Sequence, residues 1–104
     1  KKLKSDAIKL EKAGCFAIVV EKIPAKLADE ITKLVNIPII GIGAGSKVDG
    51  QVLVMHDMLG LNNEFNPRFL RRYADLTKIV NTAVSQYIND VKNKKFPNKS
   101  EEYN

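Results

Sequence analysis

A parallel sheet is indicated first by residues 16–21, which read Phe16-Ala17-Ile18-Val19-Val20-Glu21. The apolar part of this run is unbroken and rich in β-branched side chains, a pattern typical of a strand covered on both faces. Two further runs of the same kind read Ile37-Pro38-Ile39-Ile40-Gly41-Ile42 and Val52-Leu53-Val54-Met55. We therefore predict three strands, each of which leads directly into a polar or glycine-rich segment.

Helical patterns precede, separate and follow these strands. Helices are predicted from a Ser5 cap to Gly14, from Pro24 to Asn36, over residues 66–73, and from an Asp75 cap to Val91. The last of these keeps the 3.6-residue apolar period for four turns. The order of elements indicates right-handed βαβ units. The link from Ile42 to Val52 is short for a parallel crossover, so either it holds one helical turn or the third strand pairs differently.

The net charge of +5 does not indicate a nucleic-acid partner. Residues 1–12 carry +3, residues 13–66 carry −2, and residues 67–104 carry +4. The basic excess therefore lies at the two ends, and aromatic residues do not alternate with it as a base-stacking surface requires. We interpret the charge as solvated helix faces and a charged tail.

The rarer residues and the apolar runs exclude other classes. One cysteine, Cys15, excludes an intrachain disulfide, and with His56 as the one histidine a cysteine/histidine zinc site is excluded as well. The apolar runs are shorter than the roughly 20 residues of a membrane span. We expect a cytoplasmic protein without a membrane partner, in which any metal would need carboxylate ligands.

The number of strands favours part of a larger fold. Three strands are few for a doubly wound sheet, and a closed (β/α)₈ barrel needs eight units over about 250 residues. The sequence also begins within charged, helix-like residues and without methionine. We therefore expect an α/β fold that forms the carboxyl-terminal three βα units of a (β/α)₈ TIM barrel, followed by further helices. Residues 1–92 are expected to form this part of the barrel, and residues 93–104 a charged tail.

Glu21 is the first candidate functional residue, because it ends a predicted strand where ligands gather in parallel α/β folds. A carboxylate there can accept a proton from a substrate carbon if burial raises its pKa towards neutrality. Alternatively, Glu21 caps the helix that begins near Pro24, whose positive end favours an ionised carboxylate. These residues alone leave both roles open.

The segments after the other two predicted strands are candidates for a substrate pocket. Gly43, Ala44 and Gly45 form a turn whose backbone amides can face an anion. Alternatively, the glycines only allow a sharp turn beside a crowded site. His56 and Asp57 can shuttle protons, or His56 can be a hydrogen-bonded support for the site.

Three blocks of sequence, taken together, resemble the carboxyl-terminal part of the ketopantoate hydroxymethyltransferase family. They are residues 16–24 (FAIVVEKIP), 37–45 (IPIIGIGAG) and 49–57 (DGQVLVMHD). Each block is weak by itself, but three in the same order at matching intervals are specific. The similarity runs from about Ser5 to the tail.

The resemblance implies a barrel of the phosphoenolpyruvate/pyruvate superfamily that transfers a hydroxymethyl group from 5,10-methylenetetrahydrofolate to 3-methyl-2-oxobutanoate. The product would be 2-dehydropantoate, a precursor of pantothenate and coenzyme A. In this family Mg²⁺ chelates the 2-oxo acid and acidifies its C3–H, and the motif match makes Glu21 the base. The metal and substrate ligands are expected outside this chain, in the remainder of the barrel. A homo-oligomer, a decamer, is also implied.

Two alternative functions stay open at this point. One is another oxo-acid carbon–carbon lyase of the same barrel superfamily, which substrate profiling with and without folate would separate. The other is a non-catalytic interaction module whose long helix packs on a partner. A well-folded, monomeric 104-residue domain would favour that module, because a barrel fragment exposes strand edges and apolar faces.

Overall fold

A three-stranded parallel sheet organises the structure, a computed structural model that describes residues 1–104. The elements are α1 (Lys2–Lys12), β1 (Ile18–Glu21), α2 (Ala25–Leu34), β2 (Ile39–Ile42), β3 (Gly50–Gln51), α3 (Met55–Met58), α4 (Leu76–Lys92) and a short 3₁₀ helix (Lys99–Glu101). They fall into two units. The first consists of Lys1–Val54 with Asn66–Leu70, and the second of Met55–Phe65 with Arg71–Asn104.

The predicted parallel pairing of the strands is confirmed, in the order β1-β2-β3. Ile18 pairs with Ile39 and Glu21 pairs with Ile42, so that β1 and β2 end at one edge of the sheet. The link between β2 and β3, residues 43–49, contains no helical turn. The short crossover is therefore made by a loop alone.

Helices α1 and α2 cover one face of this sheet. The core consists of Ala7, Ile31, Val35 and Ile39, with Ile18 and Val20 packed against it. Because successive residues of a strand point to opposite faces, Val19 and Glu21 lie on the other face. Val19 is 59% exposed there. The expected covering of both faces is thus found on one face only within this chain.

Helix α1 begins earlier than predicted and ends where predicted. It starts at Lys2, with Lys1 as N-cap, so Ser5 is not the cap. Gly14 follows its end with a φ of 96°, and the Cys15 N–H donates to the Leu10 carbonyl at 3.1 Å. This is the glycine-terminated helix end that the sequence indicates.

The third strand lies earlier in the chain than predicted. It consists of Gly50–Gln51, and residues 52–54 are not in a strand. The register explains the difference: Gly50 already pairs with Ile40, so β2, which ends at Ile42, offers almost no further partner to the apolar run. One more bond, from the Val52 N–H to the Gly41 carbonyl at 2.9 Å, ends the pairing.

The prediction of a helix over residues 66–73 is also wrong. One turn forms, in which the Leu70 N–H donates to the Pro67 carbonyl at 3.1 Å. Within the second unit, the Tyr73 N–H donates instead to the Met58 carbonyl at 2.8 Å. The asparagine–proline pair therefore starts a turn that does not continue as a helix.

Helix α4 confirms the strongest periodic pattern in the sequence. Asp75 is its N-cap, and the Asp75 side chain accepts a hydrogen bond from the Lys78 N–H. No residue of α4 is buried. Its exposed large apolar side chains are Ile79, Val80, Val84, Tyr87, Ile88 and Val91. None of the helices in the structure is both long enough and apolar enough to cross a bilayer.

Residues 93–104 contain local order that the sequence analysis did not predict. The Asn98 side chain accepts a hydrogen bond from the Ser100 N–H, and the Glu101 carboxylate accepts one from the Asn98 N–H. These two bonds form a capping box around the 3₁₀ helix. The Phe96 ring lies 5.5 Å from the Tyr87 ring, edge to face.

Candidate functional site

Two sequence-predicted site segments meet at the carboxyl edge of β1 and β2. Glu21 is the last residue of β1, and its register partner Ile42 is the last residue of β2. The Lys22 N–H donates to the Ile42 carbonyl at 2.8 Å and fixes the point where β1 ends. Gly43 follows directly, so Glu21 and the glycine turn lie at the same edge. Their chemical roles stay predictions.

The Glu21 carboxylate is exposed and has no hydrogen-bond or ion-pair partner among the residues of this chain. Helix α2 has Pro24 as its N-cap residue, without a side-chain cap hydrogen bond. Glu21 therefore makes no capping hydrogen bond to this helix, and an interaction of its carboxylate with the positive end of the helix stays a prediction. The burial that the proton-acceptor role was predicted to need is not found within this chain, so that role stays a prediction.

Crowding explains the glycines of the turn after β2. Gly43 and Gly45 have φ values of 61° and 86°, in the left-handed region. A Cβ on Gly45 would lie 2.5 Å from the Ala25 Cβ, and Ala44 is buried. The Gln51 Nε2 donates to the Gly45 carbonyl at 2.7 Å. Because no helix begins after this turn, the arrangement favours a crowded turn over an anion site at a helix N-terminus.

A contact between Lys22 and Phe69 is the part of this edge that sequence analysis missed. The Lys22 Nζ lies 5.7 Å from the centroid of the Phe69 ring, within cation–π range. The same side chain lies against Gly43, where a Cβ would lie 2.8 Å from the Phe69 Cγ. No motif links the two residues in the sequence, and the one available signal is the place of Lys22 directly after Glu21.

His56 and Asp57 do not end a strand, as was predicted, but lie in helix α3 of the second unit. The His56 side chain is exposed and forms no hydrogen bond, so the expected supporting bond is not found. Asp57 is 8% exposed, and its backbone carbonyl accepts from the Gly60 N–H at 3.2 Å. The structure thus places these two residues in a different unit from Glu21 and the glycine turn. Their assignment to a substrate pocket stays a prediction.

The structure contains no cluster of three or more His, Cys, Asp or Glu side chains. Because Mg²⁺ is usually held by one or two carboxylates together with water and substrate oxygens, the absence of ligands from this chain stays a prediction. The carboxyl groups with a shifted pKa lie on α2. A hydrogen bond from Lys33 lowers the pKa of Asp29, and one from Lys4 lowers the pKa of Glu30. Both are surface ion pairs.

Comparison with known proteins identifies a family over nearly the whole chain. Residues 1–99 match the family model described as ketopantoate hydroxymethyltransferase. The 3-methyl-2-oxobutanoate hydroxymethyltransferases of Christiangramia forsetii and Bacteroides thetaiotaomicron are each 64% identical over 102 residues, or 98% of this chain. That of Flavobacterium johnsoniae is 61% identical over the same share.

The match covers a much smaller share of these relatives. The chain spans 38% of the length of the Christiangramia and Flavobacterium proteins and 37% of the Bacteroides protein. The resemblance carried by the three sequence blocks is thus confirmed at high identity. The chain aligns with only part of the length of each relative. This protein chain belongs to the ketopantoate hydroxymethyltransferase family.

Proposed function

We propose that this chain forms the last three βα units of a ketopantoate hydroxymethyltransferase barrel and supplies its base, Glu21. The observation that carries the proposal is the one-sided sheet, with helices on one face and Val19 and Glu21 on the other. In a (β/α)₈ barrel the helices lie outside and the second face lines the interior, whereas a doubly wound sheet has helices on both faces. The one-sided sheet supports the barrel. It also supports a place for Glu21 at the carboxyl-terminal mouth, where barrel enzymes bind their substrates.

The proposed reaction joins 3-methyl-2-oxobutanoate to the one-carbon unit of 5,10-methylenetetrahydrofolate. Glu21 takes the proton from C3, and the electron pair of the broken C–H bond forms the new bond to the one-carbon unit. The two C–N bonds that hold the methylene carbon break, and the two folate nitrogens take up one proton from water and the proton that Glu21 removed from C3. Tetrahydrofolate leaves, the water oxygen becomes the hydroxyl group, and the product is 2-dehydropantoate. A positioned carboxylate contributes typically 10²- to 10⁴-fold to such a proton transfer.

Mg²⁺ is part of the proposal, but its ligands are not in this chain. The ion would act as a Lewis acid towards the 2-oxo acid. Because no cluster of ligands forms here, we place these ligands in the remaining part of the polypeptide, which the relatives possess and this chain does not span. The contribution of this chain is then the proton acceptor and the shape of the edge around it.

The same remaining part is the proposed partner of the surfaces that this chain leaves open. The free edge of β1 can pair with a further parallel strand, as barrel closure requires. The exposed apolar side of α4 is the observation that favours the alternative, a non-catalytic interaction module. We propose instead that the rest of the polypeptide or a neighbouring subunit of a homo-oligomer covers it. We also propose that the complete enzyme works in the cytoplasm.

Product formation in the complete polypeptide tests this function. The wild type should convert 3-methyl-2-oxobutanoate to 2-dehydropantoate only when 5,10-methylenetetrahydrofolate is present. Glu21→Gln should reduce the rate at least about 100-fold. Glu102→Gln, at another exposed glutamate, is the matched control and should keep the wild-type rate.

Two results would contradict the proposal. Cleavage of oxo acids without folate would favour a carbon–carbon lyase of the same superfamily. A Glu21→Gln enzyme that forms product as fast as the control would remove Glu21 from the mechanism.

A further inference from the structure

We propose that Phe69 is a positioning residue for Glu21, which acts through Lys22 and the Gly43 turn to hold the sheet edge that carries the base. This inference rests on the proposed function, since it concerns the same carboxylate. It adds a residue that neither a motif nor a strand end indicates.

Phe69 contacts both chain segments that flank the base. Lys22 follows Glu21 directly, and the Lys22 Nζ lies 5.7 Å from the centroid of the Phe69 ring. Gly43 follows Ile42, the register partner of Glu21, and lies against the base of the same side chain, since a Cβ on Gly43 would lie 2.8 Å from the Phe69 Cγ. One aromatic side chain therefore joins the residue after the base to the residue after its partner in the sheet.

Lys22 is the residue at this edge that most needs such support. Its φ of 51° is a left-handed conformation that residues other than glycine rarely adopt. Conformations of this kind persist where several interactions hold them, and they are frequent at functional sites. Two interactions hold Lys22: its N–H donates to the Ile42 carbonyl at 2.8 Å, and its ammonium group faces Phe69. Since β1 ends immediately before Lys22, a relaxation of this residue would displace Glu21.

The Gly43 side of the contact leaves the ring little freedom. A Cβ at Gly43 would lie 2.8 Å from the Phe69 Cγ and 3.0 Å from the Phe69 Cβ, so the aromatic side chain lies against the bare backbone. The ring therefore fixes the turn after β2 as well as Lys22. Displacements of about 1 Å at a reacting group can reduce a rate about 100-fold, so a modest loosening of this edge is measurable.

Exchange of the C3 proton of 3-methyl-2-oxobutanoate in deuterated water tests the proposal in the complete polypeptide. The assay is run without folate, because removal of the proton needs the base and not the one-carbon donor. Lys22→Met removes the ammonium group and keeps the alkyl stem, and Phe69→Leu removes the ring. Lys22→Arg and Phe69→Tyr keep the cation and the ring, respectively. Lys26→Met, at another exposed lysine, is the matched control.

The kcat of exchange should fall about 10- to 100-fold in Phe69→Leu and Lys22→Met. The KM for the oxo acid should stay unchanged, because neither residue is proposed to bind it. Phe69→Leu should leave the midpoint of the pH profile unchanged, since the ring carries no charge. The double variant should be no slower than Phe69→Leu alone, because the two residues act through one contact. The arginine and tyrosine variants and the control should retain most of the wild-type rate.

Several outcomes would overturn the proposal. If Phe69→Leu lowers the melting temperature but exchanges at the wild-type rate, its role is structural only. If the effects of the two single variants multiply in the double variant, the residues act independently. If Glu21→Gln stops exchange while Phe69→Leu does not slow it, the positioning role of Phe69 is wrong and the role of Glu21 as base stands. If Glu21→Gln exchanges normally, the proposed base is wrong and the positioning role falls with it.

Discussion

Replacement of Gly45 by alanine should destabilise the fold for two separate reasons, and the free-energy costs of the two can be added. The φ of Gly45 is 86°, and a left-handed conformation costs a residue with a Cβ about 1–2 kcal/mol. The new Cβ would lie 2.5 Å from the Ala25 Cβ and 3.1 Å from the Ala25 Cα at the start of α2. Overpacking of this kind costs about 1–3 kcal/mol. The expected total is about 2–5 kcal/mol, as the sum of these two ranges.

Gly14→Ala separates the two contributions. Gly14 also has a left-handed φ, of 96°, but no atom lies within 4 Å of the place that its Cβ would occupy. This variant should therefore lose only the conformational part, about 1–2 kcal/mol. The assay is urea unfolding of the complete polypeptide at one fixed protein concentration, followed by circular dichroism.

Equal losses in the two variants would refute the reasoning. Gly45→Ala would then suffer only from its backbone conformation, and the close approach of the turn to α2 would have no energetic weight. In that case the crowded-turn explanation would lose its support at Gly45, and the anion-binding alternative would regain some of it.

Three further substitutions test the core, a helix cap and an ion pair. Ile39→Ala should cost about 2–5 kcal/mol in urea unfolding because Ile39 is 0% exposed; a loss below about 1 kcal/mol would contradict the assigned core. Asp75→Ala should cost about 0.5–2 kcal/mol because the Lys78 N–H loses its acceptor, and an unchanged melting temperature would show that this cap is not used. Glu30→Gln should lower the melting temperature at pH 7, because the hydrogen bond from Lys4 lowers the pKa of Glu30. The stabilising effect of this ion pair is present above the ordinary glutamate pKa of about 4.3 and is lost as the pH falls below it. A difference between wild type and Glu30→Gln that does not shrink as the pH falls below about 4.3 would contradict the ion pair, because protonation of Glu30 removes it.

The elements that could be predicted from the sequence are those with a long or unbroken apolar pattern. The runs that became β1 and β2 contain mostly β-branched residues, and helix α4 keeps its period for four turns. Asp75 and Gly14 are local signals, a cap and a helix end, that act within one turn of their own position. Each of these patterns depends on neighbours in the sequence, and the structure confirms them.

The third strand shows why an apolar run alone is not sufficient. Residues 52–55 resemble a buried strand as closely as residues 37–42 do. Their structure is decided by register, since β2 has almost no unpaired residue left after Gly50 and Gln51. Pairing of this kind is a tertiary property that a single sequence does not contain, and the predicted position of His56 and Asp57 failed with it.

The candidate site was predictable only in part for the same reason. The place of Glu21 at a strand end follows from the sequence pattern, as does the glycine turn beside it. The burial on which the sequence analysis made the proton-acceptor role of Glu21 conditional is not found in this chain, where the carboxylate is exposed. The contact between Lys22 and Phe69 joins residues that are 47 positions apart. Only the folded chain brings that contact to the edge that carries Glu21.

The most direct test of Glu21 as the base is proton NMR of 3-methyl-2-oxobutanoate in deuterated water. The complete polypeptide is incubated with Mg²⁺ and without folate, and loss of the C3–H signal is followed. The proposed role predicts rapid loss with the wild type and with Glu102→Gln, and a rate at least about 100-fold lower with Glu21→Gln. Loss of the signal at the wild-type rate in Glu21→Gln would contradict it.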